Sequence, residues 1–214
     1  MVSLSFSPDG KFLASAGKDR KLCIWSKACN QVQKTSFNLS AIVESAHKRI
    51  IWSTDFCPID ATILATGSRD GFVKIWRVQE EPSSTEAGKN EVAIKEIFRF
   101  QPVCKQNKKV EPVTAVAFAH QALDLVNGNG PQKTVKHAIL AVGVESGLIE
   151  TWAVPLNEAE CSSPTMLHSI PLQDCHLGVV KKLAWRPSQR HESKLTLASC
   201  GTDHGIRMFD ISLS

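Results

Sequence analysis

The chain lacks any apolar run near the ~18 residues that span a bilayer, which sets aside a membrane-crossing helix. Its first residues, Met1 to Phe6, lack the basic start and long apolar core of a secretory signal. It has little excess charge: 25 Lys+Arg against 21 Asp+Glu leave a formal +4, too weak alone to argue for nucleic acid. No Cys-x-x-Cys occurs among Cys23, Cys29, Cys57, Cys104, Cys161, Cys175 and Cys200, so neither a zinc knuckle nor a thioredoxin-type pair is signalled. Seven is an odd number, and reduced intracellular thiols are the expectation. There is no G-x-S-x-G, no phosphate-loop glycine pattern and no H-E-x-x-H. What remains is an ordinary globular balance, 43% hydrophobic and 21% charged over 214 residues, enough for one domain or two small ones.

A repeat fills this space. Four segments align without gaps: Leu13 to Trp25, Leu64 to Trp76, Leu140 to Trp152 and Leu197 to Phe209, each opening with Leu-Ala. Six residues before the closing aromatic stand Asp19, Asp70, Ser146 and Asp203; three before it stand Leu22, Val73, Ile149 and Ile206. The apolar runs FLASAG, ILATGS, AILAVG and LTLASCG predict one strand, and the period-two runs KLCIW, FVKIW, LIETW and GIRMF a second. Asp and Gly between them predict tight hairpins. A third strand is predicted upstream in each unit, at VSLSF, IIWSTDF, VTAVAF and VVKKLAW; Pro8, Pro58 and Pro187 follow three of these. The fold class is therefore all-β, with small antiparallel sheets of at least three strands.

The repeat resembles WD repeats, the blades of a β-propeller. It predicts an incomplete set of about four blades over residues 1–214, at about 1–40, 41–80, 110–155 and 174–214. The closing aromatics are 51, 76 and 57 residues apart, and the excess is assigned to flexible insertions at about 80–108, 121–136 and 155–173.

In WD repeats a His before the first strand, a Ser or Thr, the turn Asp and the closing Trp form a hydrogen-bonded chain. The resemblance implies the full set in the second unit: His47, Thr66, Asp70 and Trp76. The fourth has His176, Ser199 and Asp203, but Phe209 has no indole N–H. The first has Ser15, Asp19 and Trp25. The third has Lys109 where His should fall, Val142, and Ser146 for Asp. His47 and His176 lie nine residues before Phe56 and Trp185, and nine before Phe6 falls upstream of residue 1. A seven-bladed ring needs about 300 residues at ~40–45 per repeat. The expectation is a C-terminal piece of a larger propeller protein or a truncated product of its gene.

His, Ser and Asp recurring once per unit fit structural pairing of buried polar groups better than a hydrolase triad, which needs one exposed nucleophile and an oxyanion hole. Cys200 with Asp203 and His204 falls short of the four ligands of a structural metal site. The basic runs Asn107 to Lys109 and His47 to Arg49 read as solvated loops rather than RNA contacts. Trp25, Trp76 and Trp152 sit at the repeated strand position, and Trp52 and Trp185 in first strands, so all five read as core rather than base-stacking platforms. No catalytic residue, cofactor or metal is assigned. The residues before the turn Asp, Lys18, Arg69, Glu145 and Thr202, are expected at one rim. There Lys18, Arg20 and Arg69 form a candidate partner-binding surface for acidic groups.

HKRIIWSTDFCP with TGSRD, VTAVAF with LAVGVESGLI, and VKKLAWRP with LASCGTDH are similar to the closing blades of the WD-repeat subunits of the Elongator complex. The shared degeneracy of the third blade tells more than the consensus positions. The resemblance implies a non-catalytic scaffold, in cytoplasm and nucleus, that holds the largest and catalytic Elongator subunits together during wobble-uridine modification of tRNA. Contact with tRNA itself is then indirect. Other readings are a WD-repeat adaptor of a ubiquitin ligase or chromatin complex, and direct RNA binding by the basic loops.

Overall fold

The computed structural model describes residues 2–28, 36–81, 91–102, 110–126, 134–157, 163–187 and 193–213. Fifteen strands in these residues form four antiparallel sheets arranged as the blades of a β-propeller. The first blade is β1 (Ser3–Phe6), β2 (Phe12–Ala16), β3 (Leu22–Ala28) and β4 (Ser36–Val43), paired in that order. The second is β5 (Ile51–Phe56), β6 (Ile63–Ser68), β7 (Val73–Glu81) and β8 (Glu91–Phe100). The third is β9 (Val113–Val126), β10 (Thr134–Val144), β11 (Ile149–Pro155) and β12 (Thr165–Ser169). The fourth is β13 (Val180–Trp185), β14 (Lys194–Gly201) and β15 (Ile206–Ser212).

The repeat register sets the pairing. Leu13 faces Trp25, Leu64 faces Trp76, Leu140 faces Trp152 and Leu197 faces Phe209, so the opening Leu and closing aromatic of each segment are cross-strand partners. The hairpin tip then needs one residue in the left-handed region after the Asp position. Gly71 (φ 81°) and Gly147 (φ 97°) take it without a Cβ penalty, while Arg20 (φ 67°) and His204 (φ 58°) take it with one.

Part of the expected insertions is ordered as strand. Residues 91–100, assigned to a flexible excursion, are β8, paired with β7 from Val73↔Phe100 to Glu81↔Glu91. Apolar Val92, Ile94, Ile97, Phe98 and Phe100 pack onto the core and outweigh the charged residues between them. The excursion at 121–136 shortens because β9 and β10 run on as a ribbon, pairing Leu123 with His137 and Leu125 with Val135. Within 155–173, residues 165–169 pair with β11 as β12. Lys109, Cys29, Cys104, Cys161 and the run Asn107 to Lys109 lie outside the described residues.

Each blade has a leading face bearing the closing aromatic and a trailing face of small and aliphatic residues. The leading face of the second blade (Phe56, Leu64, Trp76) packs on the trailing face of the first (Phe12, Ala14, Leu22, Ile24). Phe118, Leu140 and Trp152 of the third pack on Ile63, Ala65, Val73 and Ile75 of the second. Trp185, Leu197, Phe209 and Ile211 of the fourth pack on Ile139, Ala141 and Ile149 of the third. Three layers of one design therefore supply the core.

The first strands β1, β5, β9 and β13 lie side by side in series. Their edges are satisfied across the blades rather than by a further strand. The Thr54 and Phe56 N–H groups donate to Ser3 Oγ and Ser5 Oγ, both at 2.9 Å. One blade on, Val116 N–H donates to Ser53 Oγ at 3.1 Å and Phe118 N–H to an Asp55 carboxylate oxygen at 2.7 Å. β9 carries Ala115 and Ala117 at these positions, and there the Trp185 indole N–H donates back to the Ala117 carbonyl at 2.9 Å.

Candidate functional site

The second blade holds a polar chain of four side chains. His47, brought in by the segment leading to β5, is buried between the hairpin tip and β6. Its Nδ1 lies 3.1 and 3.2 Å from the two Asp70 carboxylate oxygens, and its Nε2 2.7 Å from Thr66 Oγ1. The Trp76 indole N–H donates to the same Thr66 oxygen at 2.9 Å. One tautomer satisfies every group: Nδ1–H donates to Asp70, and Nε2 accepts the Thr66 hydroxyl hydrogen while Trp76 donates to that oxygen. Asp70 also accepts the Lys48 and Phe72 N–H groups at 2.8 and 3.1 Å, which ties the tip to the incoming segment. Burial alone would raise the Asp70 carboxyl. The His47 contact and the two N–H donors outweigh it and hold the group at about 2.

The fourth blade builds the same link with one change. His176 Nδ1 is 2.8 Å from Asp203 Oδ1 and its Nε2 2.8 Å from Ser199 Oγ. Phe209 supplies no donor, and Arg207 enters instead, with Nη1 donating to Asp203 Oδ2 at 2.8 Å. Burial opposes ionisation of Asp203. The contacts of His176, Leu177 N–H, Gly205 N–H and Arg207 overcome it and hold the carboxyl well below the usual range. In the first blade the Trp25 indole donates to Ser15 Oγ at 2.9 Å, while exposed Asp19 accepts only the backbone N–H of Lys21 at 3.4 Å among the contacts seen.

The third blade differs most from the sequence-based expectation. Ser146 is exposed and its hydroxyl donates to Glu111 rather than joining a buried chain. The Trp152 indole N–H donates at 3.0 Å to Glu150, a buried carboxylate on the same strand. Glu150 stands across from Val142, where the second blade pairs Thr66 with Lys74. The signal was present in the sequence: an acidic residue two before the Trp, in the blade whose Ser/Thr position is Val.

These networks are built for rigidity. The His–Ser and His–Thr contacts lie inside the sheets, with both histidines about 2% exposed. Among the described residues no group of three or more His, Cys, Asp or Glu is arranged to hold a metal ion. Cys200 and His204 are not drawn into such a group with Asp203. Cys23, Cys57, Cys175 and Cys200 carry free thiols, and burial pushes the Cys57 thiol up to about 12. No helix among the described residues is long and apolar enough to cross a membrane.

The rim residues divide. Lys18, Arg69, Glu145 and Thr202 are all exposed at hairpin tips. Arg20 is exposed as well, and its carbonyl accepts the Ala46 N–H at 3.1 Å, which seats it beside His47 and Lys48. A cleft between the first two blades is lined by Arg20, Ser45, His47, Lys48, Asp70, Phe72, Lys74 and Arg99. Lys18 and Arg69 stand outside that lining. Lys48, Lys74 and Arg99 were not singled out from the sequence as rim residues, because Lys74 and Arg99 meet only through the β7–β8 pairing and Lys48 is brought in by its N–H contact to Asp70. Glu96 pairs with two of these groups, Lys74 at 2.8 Å and Arg99 at 3.7 Å.

The WD domain, G-beta repeat family matches residues 2–26 and 39–77. Along nearly all of its length the chain is similar to Elongator complex protein 2 of Arabidopsis thaliana (35% identical, covering 98% of this chain and 22% of that protein). The protein of the same name from Drosophila melanogaster is 32% identical over 99% of this chain and 23% of its own length. That of Homo sapiens is 27% identical over 99% and 25%. The chain thus spans about a quarter of the length of these curated relatives. Its fold is a β-propeller in which WD repeats are found, and its homologues across eukaryotes are named Elongator complex protein 2.

Proposed function

We propose that this chain serves the Elongator complex as a non-catalytic WD-repeat scaffold. It holds the largest and catalytic subunits in place for wobble-uridine modification of tRNA, in the cytoplasm and nucleus. The observation that carries this reading is similarity to Elongator complex protein 2 along nearly the whole chain, degenerate third blade included. The physical design is consistent with a platform. Its buried polar groups are spent on fixing hairpins, which rigidifies a sheet rather than supplying a nucleophile.

Lys18, Arg20 and Arg69 are the side chains proposed to dock an acidic or carboxylate-bearing partner surface, with Arg69 the better anchor through its planar fork. Arginine is enriched among the residues that dominate interface energies. The reading is tested by affinity capture of the tagged chain from cells, with identification of the bound proteins. Co-capture of the largest and catalytic Elongator subunits is expected. Capture of ubiquitin-ligase or chromatin subunits in their place overturns the assignment, as does binding only to RNA that falls steeply with added salt.

A further inference from the structure

The cleft between the first two blades has a volume of about 420 Å³, the scale of a small-ligand site. Its walls are the β2–β3 hairpin tip, which carries Arg20, the segment from Ser45 to Lys48, and parts of β7 and β8. All of these lie within residues 20–99, and the packing of the second blade on the first fixes them. The Ala46 N–H donates to the Arg20 carbonyl at 3.1 Å and the Lys48 N–H to Asp70 at 2.8 Å, so backbone contacts set the shape of the cleft in advance.

The next junction is built differently. Leu148 and Glu150 stand at the positions of Phe72 and Lys74, four and two residues before the closing Trp, and the void they line is only about 10 Å³. A Cβ on Gly71 or Gly147 would collide with Val110 Cγ1 or the His176 carbonyl oxygen, so there the incoming segment lies directly on the hairpin tip. The first tip carries Arg20 instead, in the same left-handed conformation (φ 67°) and against the steric preference of a residue with a Cβ. A side chain held there at a steric cost points to a use for it.

Four cations line the cleft: Arg20, Lys48, Lys74 and Arg99. Asp70 in the lining is engaged by His47 and two backbone N–H groups. Glu96 pairs with Lys74 at 2.8 Å and with Arg99 Nε at 3.7 Å. These two carboxylates leave two positive charges in excess. The Arg20 and Lys48 side chains have no ion-pair partner among the described residues. A phosphate monoester carries about −1.5 to −2 at neutral pH and matches this excess, whereas a carboxylate leaves one charge uncompensated.

We propose that the cleft binds a small phosphorylated molecule. Arg20 and Arg99 offer planar forks to its phosphoryl oxygens and Lys48 an ammonium. The half-buried Phe72 supplies an apolar wall for the carbon-bearing part. The site does not rest on the Elongator reading, and Lys18 and Arg69 stand outside it.

Calorimetric titration of the full chain with phenyl phosphate tests this, with benzoate as the carboxylate on the same ring. Saturable binding of phenyl phosphate is expected, about tenfold or more tighter than that of benzoate. R20G puts at the first tip the residue that Gly71 and Gly147 supply at the next two, so the fold is kept. It is expected to weaken phenyl phosphate about tenfold with a melting temperature no lower than wild type. F72L copies the third blade and is expected to weaken phenyl phosphate while leaving inorganic phosphate within about twofold. K18Q/R69Q is expected to leave phenyl phosphate binding unchanged, which separates this site from the partner-docking rim. No saturable binding below about 10 mM, equal affinity for phenyl phosphate and benzoate, or equal affinity of wild type and folded R20G overturns the site. A phosphoserine peptide or single-stranded RNA bound about tenfold tighter than phenyl phosphate, and lost in R20G, overturns the small-molecule assignment.

Discussion

Replacing Thr66 with Val removes one oxygen and keeps the shape, so nearly all of its effect falls on the polar chain of the second blade. In the native blade that oxygen accepts from Trp76 Nε1 at 2.9 Å, and its hydrogen serves His47 Nε2 at 2.7 Å. Trp76, His47 and Thr66 are all buried, so water does not replace the lost contacts without opening the blade. Each stranded group costs about 1–3 kcal/mol. Two give an expected loss of about 2–4 kcal/mol once partial relaxation is allowed for, a fall in Tm of roughly 5–15 °C at this chain length. The assay is denaturant unfolding of four proteins: wild type, T66V, W76F and the double variant. In the W76F background no indole is left unpaired, so T66V is expected to cost about 1–2 kcal/mol less there. The same missing indole occurs naturally at Phe209. A loss below about 0.5 kcal/mol for T66V, or strict additivity of the two changes, would refute the network account.

Other expectations follow from single features. Thr151 is also fully buried, but its Oγ1 has no hydrogen-bond partner among the described residues, so T151V is expected to stabilise by about 1 kcal/mol, opposite in sign to T66V. Asp55 is desolvated between β5 and β9. Burial raises its carboxyl to about 6 despite the Phe118 N–H and the Lys182 charge. A raised folded pKa means that its contribution is fully present below about pH 4 and lost as pH rises through 6. D55N keeps an acceptor for Phe118 and is expected to melt above wild type at pH 7.5 by about 1–2 kcal/mol, with the gap closing by pH 4. An equal gap at both pH values would contradict this. H204G relieves a left-handed residue at the fourth hairpin tip (φ 58°) and is expected to raise stability by about 1 kcal/mol, measured by thermal melt.

The Leu-Ala to aromatic register was legible because β2, β6, β10 and β11 are buried on both faces and so read as short, nearly continuous runs of apolar and small residues, with the aromatic at a fixed distance from the opening Leu. The outer strands were not. β12 has no residue fully buried, and in β8 exposed Glu91, Lys95 and Arg99 interrupt a half-buried face, so composition there resembles a loop. Residue types for the hairpin chains could be named from spacing. The substitution of Glu150 for the Thr position is marked only by an acidic residue two before Trp152, and such a residue in a strand ordinarily faces solvent; burial of β11 on both faces is what turns it to the indole. The Ser3, Ser5, Ser53 and Asp55 caps were hidden because their targets are more than fifty residues away in the next blade.

The claim that this rim docks a protein partner is tested most directly by titrating the purified chain against the purified largest Elongator subunit by calorimetry. Saturable binding is predicted, weakened at least tenfold by the K18E/R69E double variant while its melting temperature stays within about 2 °C of wild type, as expected of exposed surface changes. Equal affinity for wild type and the folded double variant, or no binding by either, would contradict it.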